Sequence, residues 1–486
     1  MIIKMKVLML NPSYGKNFVR SARWAARSRG RVQRHPDYLA IAAAVLEKAG
    51  HEVKLVDAAS LNMGFDETIN VAKSFNPDLS IIHTTTPSIY NDIEHAEMMK
   101  DIGSTTVLIG QHASALPEET MRMSKKIDFI AVGEYDYTLR DIADENDPHD
   151  IEGTICRNKN DIIMNKKREL IKDLDELPFP AWHQIDVHDY FDAGKLYPFI
   201  TIISGRGCPN NCCFCVLPQL YYGKKYRFRS VKKVIEEIEY DLELFPDIKE
   251  IMFEDDTLTA DKGRVTEICN EILDRGINEK ISWSANARAE LNDLDLLKLM
   301  KKSGCRMLVV GYEFGDNKLL NNVKKRLTTG QMMEFSSLTK KAGICVHGCF
   351  MIGGPGETKQ TAEKTINLAK RLRPDTLQFS GLTPYPGTQF YYWCKERGYI
   401  IAEDWTDWVD AGEQSTVVAY PQLSKEEIIS LVDKGLYENF YFTPTVWLHH
   451  LFTIKNFDDF KRKSLGAKSL IDYWMSKKRK RAVNEK

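Results

Sequence analysis

Up to about residue 145 the chain repeats one pattern: a short apolar run, a polar break, then a longer amphipathic stretch. The runs at 6–10, 52–57, 79–83, 105–109 and 128–132 read as strands. The stretches at 38–49, 66–75, 90–101, 118–124 and 137–145 read as helices, the first closed by Gly50 just past its end. Five strands alternating with five helices predict an α/β domain built on a doubly wound, Rossmann-like parallel sheet. Ligands of such sheets bind beyond the carboxyl ends of the strands. The segments at those ends are polar or glycine-bearing: Asn11-Pro12-Ser13, Thr84-Thr85-Thr86-Pro87-Ser88, Gly110-Gln111-His112-Ala113-Ser114 and Gly133-Glu134.

The pattern breaks at 146–196, where a polar turn, a small hairpin and the run LPFPAW follow one another. Pro178 and Pro180 forbid a regular helix or central strand there, so this part reads as an inter-domain connector. Alternation then resumes, with strands expected at 199–203, 250–253, 281–285, 307–310, 346–351 and 376–379. Helices lie between them, 231–245 and 361–371 being the clearest. Six βα units predict a partial, open (β/α)6 barrel with its chemistry at the carboxyl-end loops. Beyond about residue 400 the alternation stops, and an aromatic-rich helical region ends in the basic run 477–481. The expected division is therefore 1–145, 146–196, 197–400 and 401–486.

Composition narrows the function. The 486 residues carry a net charge of -1, which excludes a globally basic nucleic-acid coat. Hydrophobic residues at 43% and charged residues at 28% describe a folded, globular chain. No stretch reaches the roughly 20 apolar residues of a membrane span. The first residues lack the cleavage site of a secretory signal and read as a buried strand.

Ten cysteines are too few for a disulfide scaffold, yet Cys208, Cys212, Cys213 and Cys215 fall together. A closed zinc site usually draws on two separated C-x2-C pairs, and no second pair of that spacing exists. Cys208-x3-Cys212-x2-Cys215 supplies three spaced thiols from one loop, with Gly205, Gly207 and Pro209 suited to a tight wrap. Three ligands on a four-iron cluster leave one iron open. Cys213 reads as a bystander. This signature, with Phe214 before the last cysteine, resembles that of the radical S-adenosylmethionine (SAM) superfamily. The resemblance implies a [4Fe-4S] cluster on Cys208, Cys212 and Cys215 whose open iron chelates SAM. Reductive cleavage of SAM then yields a 5′-deoxyadenosyl radical.

Other barrel motifs fit the resemblance, which covers about 199–378. Phe253-Glu254-Asp255-Asp256 follows the second barrel strand, where the family contacts the SAM amino group through residues such as Glu254 and Asp255. Ser284, Asn286 and Arg288 follow the third strand, Ser284 and Arg288 being the SAM-contact candidates. Gly311-Tyr312-Glu313-Phe314-Gly315 resembles the family's G-x-E-x-G, whose glutamate, here Glu313, contacts the SAM ribose. Gly353-Gly354-Pro355-Gly356-Glu357 resembles its glycine-rich turn near the adenine.

The N-terminal sheet resembles the cobalamin-binding domain of class B radical SAM enzymes. Gly110-Gln111-His112-Ala113-Ser114, running on to Pro117-Glu118-Glu119, and later Asp128 with Gly133-Glu134, carry that likeness. It implies a corrinoid whose nucleotide tail lies against Thr84, Thr85, Thr86 and Ser88, with Gly110, Gln111, His112, Gly133 and Glu134 beside it. No D-x-H-x-x-G follows the first strand, so no histidine ligand to cobalt is expected from that motif. Two readings of His112 stand: a cofactor contact and a satisfied structural histidine. Arg20, Arg23, Arg27, Arg29, Arg31 and Arg34 form a basic run, either a solvated loop or a lid over the gap between the domains. The basic run at 477–481 beside Trp474 is a solvated tail or a peripheral membrane contact.

The family likeness implies a cobalamin-dependent radical SAM enzyme acting on an unactivated carbon, with methyl transfer the first reading. Radical cyclisation or ring contraction without methyl transfer is the alternative, and a corrinoid or iron–sulfur carrier is the alternative of another class. The partners implied are a small-molecule or lipid-like substrate and an electron donor such as a flavodoxin or ferredoxin, in the cytoplasm, with no nucleic acid.

Overall fold

The computed structural model describes residues 4–27, 32–159, 161–291, 293–410, 413–441, 447–448, 451–452, 454 and 457–484. Strands β1 (Lys6–Asn11), β2 (Glu52–Asp57), β3 (Leu79–Thr84), β4 (Thr105–Gly110) and β5 (Phe129–Ala131) run parallel in the order β2-β1-β3-β4-β5. Successive side chains of a strand point to opposite faces. Here Val7, Met9 and Ile81 accordingly enter one apolar core while Leu8, Leu10 and Ile82 enter another. Both faces are covered, which is why these runs are almost continuously apolar. The connector adds to this sheet. Its hairpin, β6 (Thr154–Asn158) and β7 (Asp161–Met164), pairs antiparallel with β5 and covers what would otherwise be an open edge.

The second sheet holds β8 (Phe199–Ile202), β9 (Glu250–Phe253), β10 (Ser282–Ala287), β11 (Cys305–Glu313), β12 (Cys345–Ile352) and β13 (Thr376–Gly381). They pair in sequence order, all parallel, as a six-stranded open barrel. Alternate residues of β12 separate cleanly: Val346, Gly348, Phe350 and Ile352 are buried under the helices, while Cys345, His347, Cys349 and Met351 are partly open on the other face. The fourth barrel strand extends past the expected 307–310 as far as Glu313, so the glycine–glutamate motif lies within the strand's end and not after it.

Between 401 and 424 the chain runs as a strap. It is tied back by a bridge between Ile400 and Val418, and helix resumes at Lys425–Asp433 behind a capping box of Ser424 and Glu427. A helix over Phe457–Asn484 follows. Among the described residues no helix is long and apolar enough to cross a membrane.

A buried ion cluster joins the two sheets. Arg206, just before the cysteines, donates to Glu134 at 2.9 Å and to Asp136 at 2.7 Å. Arg227, on the paired ribbon, donates to the two oxygens of Glu134 at 3.0 and 3.1 Å. The backbone of Ile171 adds a further hydrogen bond to Glu134 at 2.8 Å. Two positive and two negative charges balance inside a dry interface, with Tyr222 and Tyr38 packed over Arg206 at 5.3 and 5.8 Å. Taking one partner from such a group leaves a buried charge uncompensated, at a cost of about 3–5 kcal/mol. Glu134→Gln should therefore lower the unfolding free energy from urea titration by that order, and the double variant Glu134→Gln/Arg227→Met, which restores neutrality, should recover part of the loss.

Candidate active site

The loop after β8 is closed at its base, where Gly205–Arg206 pairs antiparallel with Arg227–Phe228. Gly207 has φ +93°, and a Cβ there would lie 2.3 Å from the Lys225 carbonyl oxygen, so no other residue fits. Gln219 donates its side-chain amide to the carbonyls of Cys212, Cys213 and Cys215 at 3.3, 3.2 and 2.7 Å, drawing the turn together. Burial pushes the Cys215 thiol up to about 12, and Cys212 and Cys208 add to the shift, so the three thiols act on one another. Cys213 instead turns into the apolar core, its backbone tied to Val323 at 3.1 Å and Phe390 at 3.0 Å. Among the described residues no His, Cys, Asp or Glu side chains form a compact group for a single metal ion. Three thiols that one loop supplies and that influence one another are the donor types of a cluster that keeps one corner open, so the residues present fit an iron–sulfur group.

The ends of the barrel strands surround this loop. Asp255 is fully buried and both its oxygens are engaged, by the Ser204 backbone at 2.6 Å, the Ser204 hydroxyl at 2.7 Å and the Tyr226 hydroxyl at 2.7 Å. Asp256 accepts from the Gly207 backbone at 2.8 Å, and burial pushes its carboxyl up to about 6. Glu254 keeps one oxygen, Oε2, buried without a hydrogen bond. Ser284 is spent on a buried network with Glu250 and with Lys195, which donates to it at 2.9 Å. Arg288 donates to Glu290 at 2.9 Å, and its charge is felt by Cys208 and Cys212.

Glu313 has φ +62° and pairs with Lys325 at 2.8 Å, leaving Oε2 buried and unpaired. The flanking glycines are required by close approach. A Cβ at Gly311 would meet Glu313 Oε1 at 2.3 Å, and one at Gly315 would meet the Lys364 carbonyl at 2.5 Å. In the next turn the backbone amides of Gly353 and Gly354 both donate to Glu357 Oε2, Gly354 at 3.0 Å. Pro355 offers its carbonyl to Asn322 at 2.8 Å, and the strap's Tyr420 donates to the Gly353 carbonyl at 2.7 Å.

At the carboxyl edge of the first sheet most polar groups are satisfied from within. Thr84 donates to the Ile109 carbonyl at 2.7 Å, Thr85 and Ser88 meet at 2.6 Å, and Ser88 donates to Asp92 at 2.8 Å. Gly110 has φ +104°, and a Cβ there would lie 2.4 Å from the Thr84 carbonyl. The Gly133 backbone donates to Ser114 at 3.1 Å. Three side chains differ. The Thr86 hydroxyl, both polar atoms of Gln111 and both ring nitrogens of His112 are buried with no partner. Burial lowers the His112 imidazole to about 3, so it is neutral, and the strap's Trp405 packs edge-on to it at 5.0 Å. Adjacent unpaired buried groups are rare in folded proteins, and a polar ligand admitted beside them would satisfy them. This edge therefore fits a corrinoid tail.

The partners of the basic run, and two residues beside it, were not legible beforehand. Arg20 is buried against Asp92 at 2.9 Å. Arg23 donates to the carbonyls of Glu254 and Asp255 at 2.8 and 3.0 Å and approaches the Glu254 and Asp256 carboxylates at 3.4 Å each. Arg34 lies 3.6 Å from Asp192. The basic run is thus spent largely on internal carboxylates, while Arg29 and Arg31 lie outside the described residues. Asp37, pushed up to about 7 by burial, and His35, stacked on Tyr190 at 4.2 Å, line the same seam, which holds a cavity of about 30 Å³. The only sequence signal for them was the polar step His35-Pro36-Asp37 at a helix entry.

Burial raises Glu357 to about 7 from an ordinary 4.5. Its folded-state value lies above its unfolded one, so the stabilisation is full at low pH and is lost as pH rises through the folded value. Stability should fall by at most about 1.36 kcal/mol for each pH unit across that window. Glu357→Gln, which can still accept both amides, should flatten the slope when Tm is followed against pH.

Residues 202–369 match the radical SAM superfamily and residues 32–143 the B12 binding domain. An uncharacterized methyltransferase of Pyrococcus horikoshii is 32% identical over 416 residues, covering 83% of this chain and 88% of the relative. The anaerobic magnesium-protoporphyrin IX monomethyl ester cyclase of Cereibacter sphaeroides is 26% identical, covering 74% of this chain and 60% of that protein. Among solved structures, the radical SAM methyltransferase TsrM of Kitasatospora setae, with cobalamin and a [4Fe-4S] cluster bound, superposes with a TM-score of 0.70. That likeness is one of fold, at 16% identity over 96% of this chain and 99% of TsrM. The order of the two domains, the cysteine loop at the barrel mouth and the extent of the archaeal match agree: the chain belongs to the B12-binding radical SAM enzymes.

Proposed function

We propose that the chain is a cobalamin-dependent radical SAM methyltransferase that modifies a carbon of a small-molecule substrate. The placement of Cys208, Cys212 and Cys215 on the one ribbon-closed loop that follows the first barrel strand carries this reading. Bound there, the cluster with SAM would supply a carbon-centred radical, and the corrinoid a methyl group. The chain's residues bind and orient. Cys208, Cys212 and Cys215 would hold the cluster. Glu254, with the carbonyls beside it, and Arg288 would take the charged groups of SAM. The free oxygen of Glu313 would take its ribose, and Gly353, Gly354 and Pro355 its adenine. Thr86, Gln111 and His112 would take polar groups of the corrinoid tail, with Gly110 and Gly133 shaping the turns that carry them. Asp255, Ser284, Glu134, Thr84, Thr85 and Ser88, whose polar atoms the protein itself engages, would act through the groups they hold. We assign the electron supply to a flavodoxin or ferredoxin and the working compartment to the cytoplasm.

The test is anaerobic reconstitution with iron, sulfide and a strong reductant. The wild type should release 5′-deoxyadenosine from SAM. The triple variant Cys208→Ala/Cys212→Ala/Cys215→Ala should hold no iron and release none; iron retained in it would sink the reading. With methyl-deuterated SAM and a small-molecule extract, label should enter a product carbon. A product lacking the label would point to the cyclase reading that the porphyrin relative keeps open.

The unpaired groups give a separate prediction. Each buried polar group without a partner costs about 1–3 kcal/mol in the cofactor-free chain. Gln111→Leu/His112→Phe should therefore raise Tm of the cofactor-free protein while lowering the corrinoid it retains on gel filtration. A fall in both would assign the two side chains a structural role.

A further inference from the structure

Residues 447–486 combine two properties that the rest of the chain keeps apart. Among the described residues, eight of the fourteen exposed large apolar side chains lie in this segment. Phe452 is 85% exposed, Phe457 76% and Leu451 59%. Trp447, Leu448, Leu451 and Phe452 share the one-and-four spacing that places side chains on one helical face. The same 40 residues hold eleven Lys and Arg against four Asp and Glu, a net of +7, whereas the whole chain is -1, leaving -8 for residues 1–446. Five of the basic residues are consecutive, from Lys477 to Arg481. The side chains of Trp474 and of 477–481, like Phe442, lie outside the described residues.

Arg462 moors the segment to the barrel domain. Arg462 donates to the Ala193 carbonyl at 2.6 Å and pairs with Asp459 at 3.0 Å, while Phe457 and Phe460 remain exposed. Ala193 adjoins Gly194, whose carbonyl accepts from Arg306 near the amino end of β11. The mooring is thus at the end of the barrel opposite the cysteine mouth.

We propose that residues 447–486 form a docking surface for an anionic lipid bilayer. Exposed aromatic and aliphatic residues in a segment of high positive charge are the combination that an anionic interface binds, the rings entering the headgroup boundary while cations meet phosphates. A second copy of the chain fits poorly, because two +7 segments repel. A nucleic acid accounts for the charge but not for the open phenylalanines. Docking through this end would leave the cysteine-bearing end of the barrel, with the first sheet over it, on the side away from the bilayer. The proposal does not depend on the assigned chemistry, so either can fail alone.

The test is flotation of the full-length, cluster-loaded protein with vesicles of phosphatidylcholine alone or mixed with phosphatidylglycerol. Binding should require phosphatidylglycerol and weaken in high salt. Phe452→Ser/Phe457→Ser, and separately the change of Lys477, Lys478, Arg479, Lys480 and Arg481 to Gln, should each weaken binding roughly tenfold or more. Circular dichroism and iron content should stay unchanged in both variants. No binding by the wild type, or equal binding by a folded variant, overturns the proposal. So does a dimer in sedimentation that Phe452→Ser/Phe457→Ser disperses, which would assign the apolar face to a second copy. If one variant fails to fold, the other still decides.

Discussion

The relation between the two sheets rests on four ionised side chains shut away from water. Arg206 and Arg227 belong to the ribbon that frames the cysteine loop, and Glu134 and Asp136 follow the last parallel strand of the first sheet. Removing ions from water is costly, and the attraction between them offsets that cost only in close, well-bonded geometry. A hydrophobic seam tolerates sliding; this one does not. The cluster therefore acts less as glue than as a register, fixing the edge that holds Gln111 and His112 against the mouth that holds the thiols. Arg23 adds a second fixed point by reaching from the first domain to the carbonyls at the end of β9.

Around that seam the strand ends divide into two kinds of polar group. Asp255, Ser284 and Glu134 have every oxygen committed to the protein, and they shape the walls. Glu254, Glu313, Thr86, Gln111 and His112 keep atoms buried without a hydrogen bond. The second kind is expensive in a chain that holds nothing and well placed in one that holds cofactors. The glycines between them serve close approach: Gly207, Gly311 and Gly315 sit where a single added carbon would collide with backbone or with the Glu313 carboxylate. The strap crosses this arrangement, with Trp405 against His112 and Tyr420 against Gly353, so the region after the barrel contributes to both halves of the site.

By itself the sequence determined the elements and the chemistry that travels with local spacing. Apolar runs alternating with amphipathic ones specify parallel strands and covering helices, because periodicity is a property of neighbours. The cysteine spacing and the two glycine motifs were legible for the same reason: each lies on one short segment, and a tight loop needs its glycines wherever it folds. What only the tertiary structure decided is which charges meet. The arginines from Arg20 to Arg34 looked alike in sequence, yet Arg20 pairs with Asp92, Arg23 with Asp256 and Arg34 with Asp192, residues up to more than two hundred positions away. The connector hairpin joined the first sheet because β5 had an edge to cover, and Glu134 became the hinge of an ion cluster because Arg206 and Arg227 arrived beside it. Spacing along a chain fixes what neighbours can do together; partners brought in by packing depend on the whole fold, and no local pattern records them.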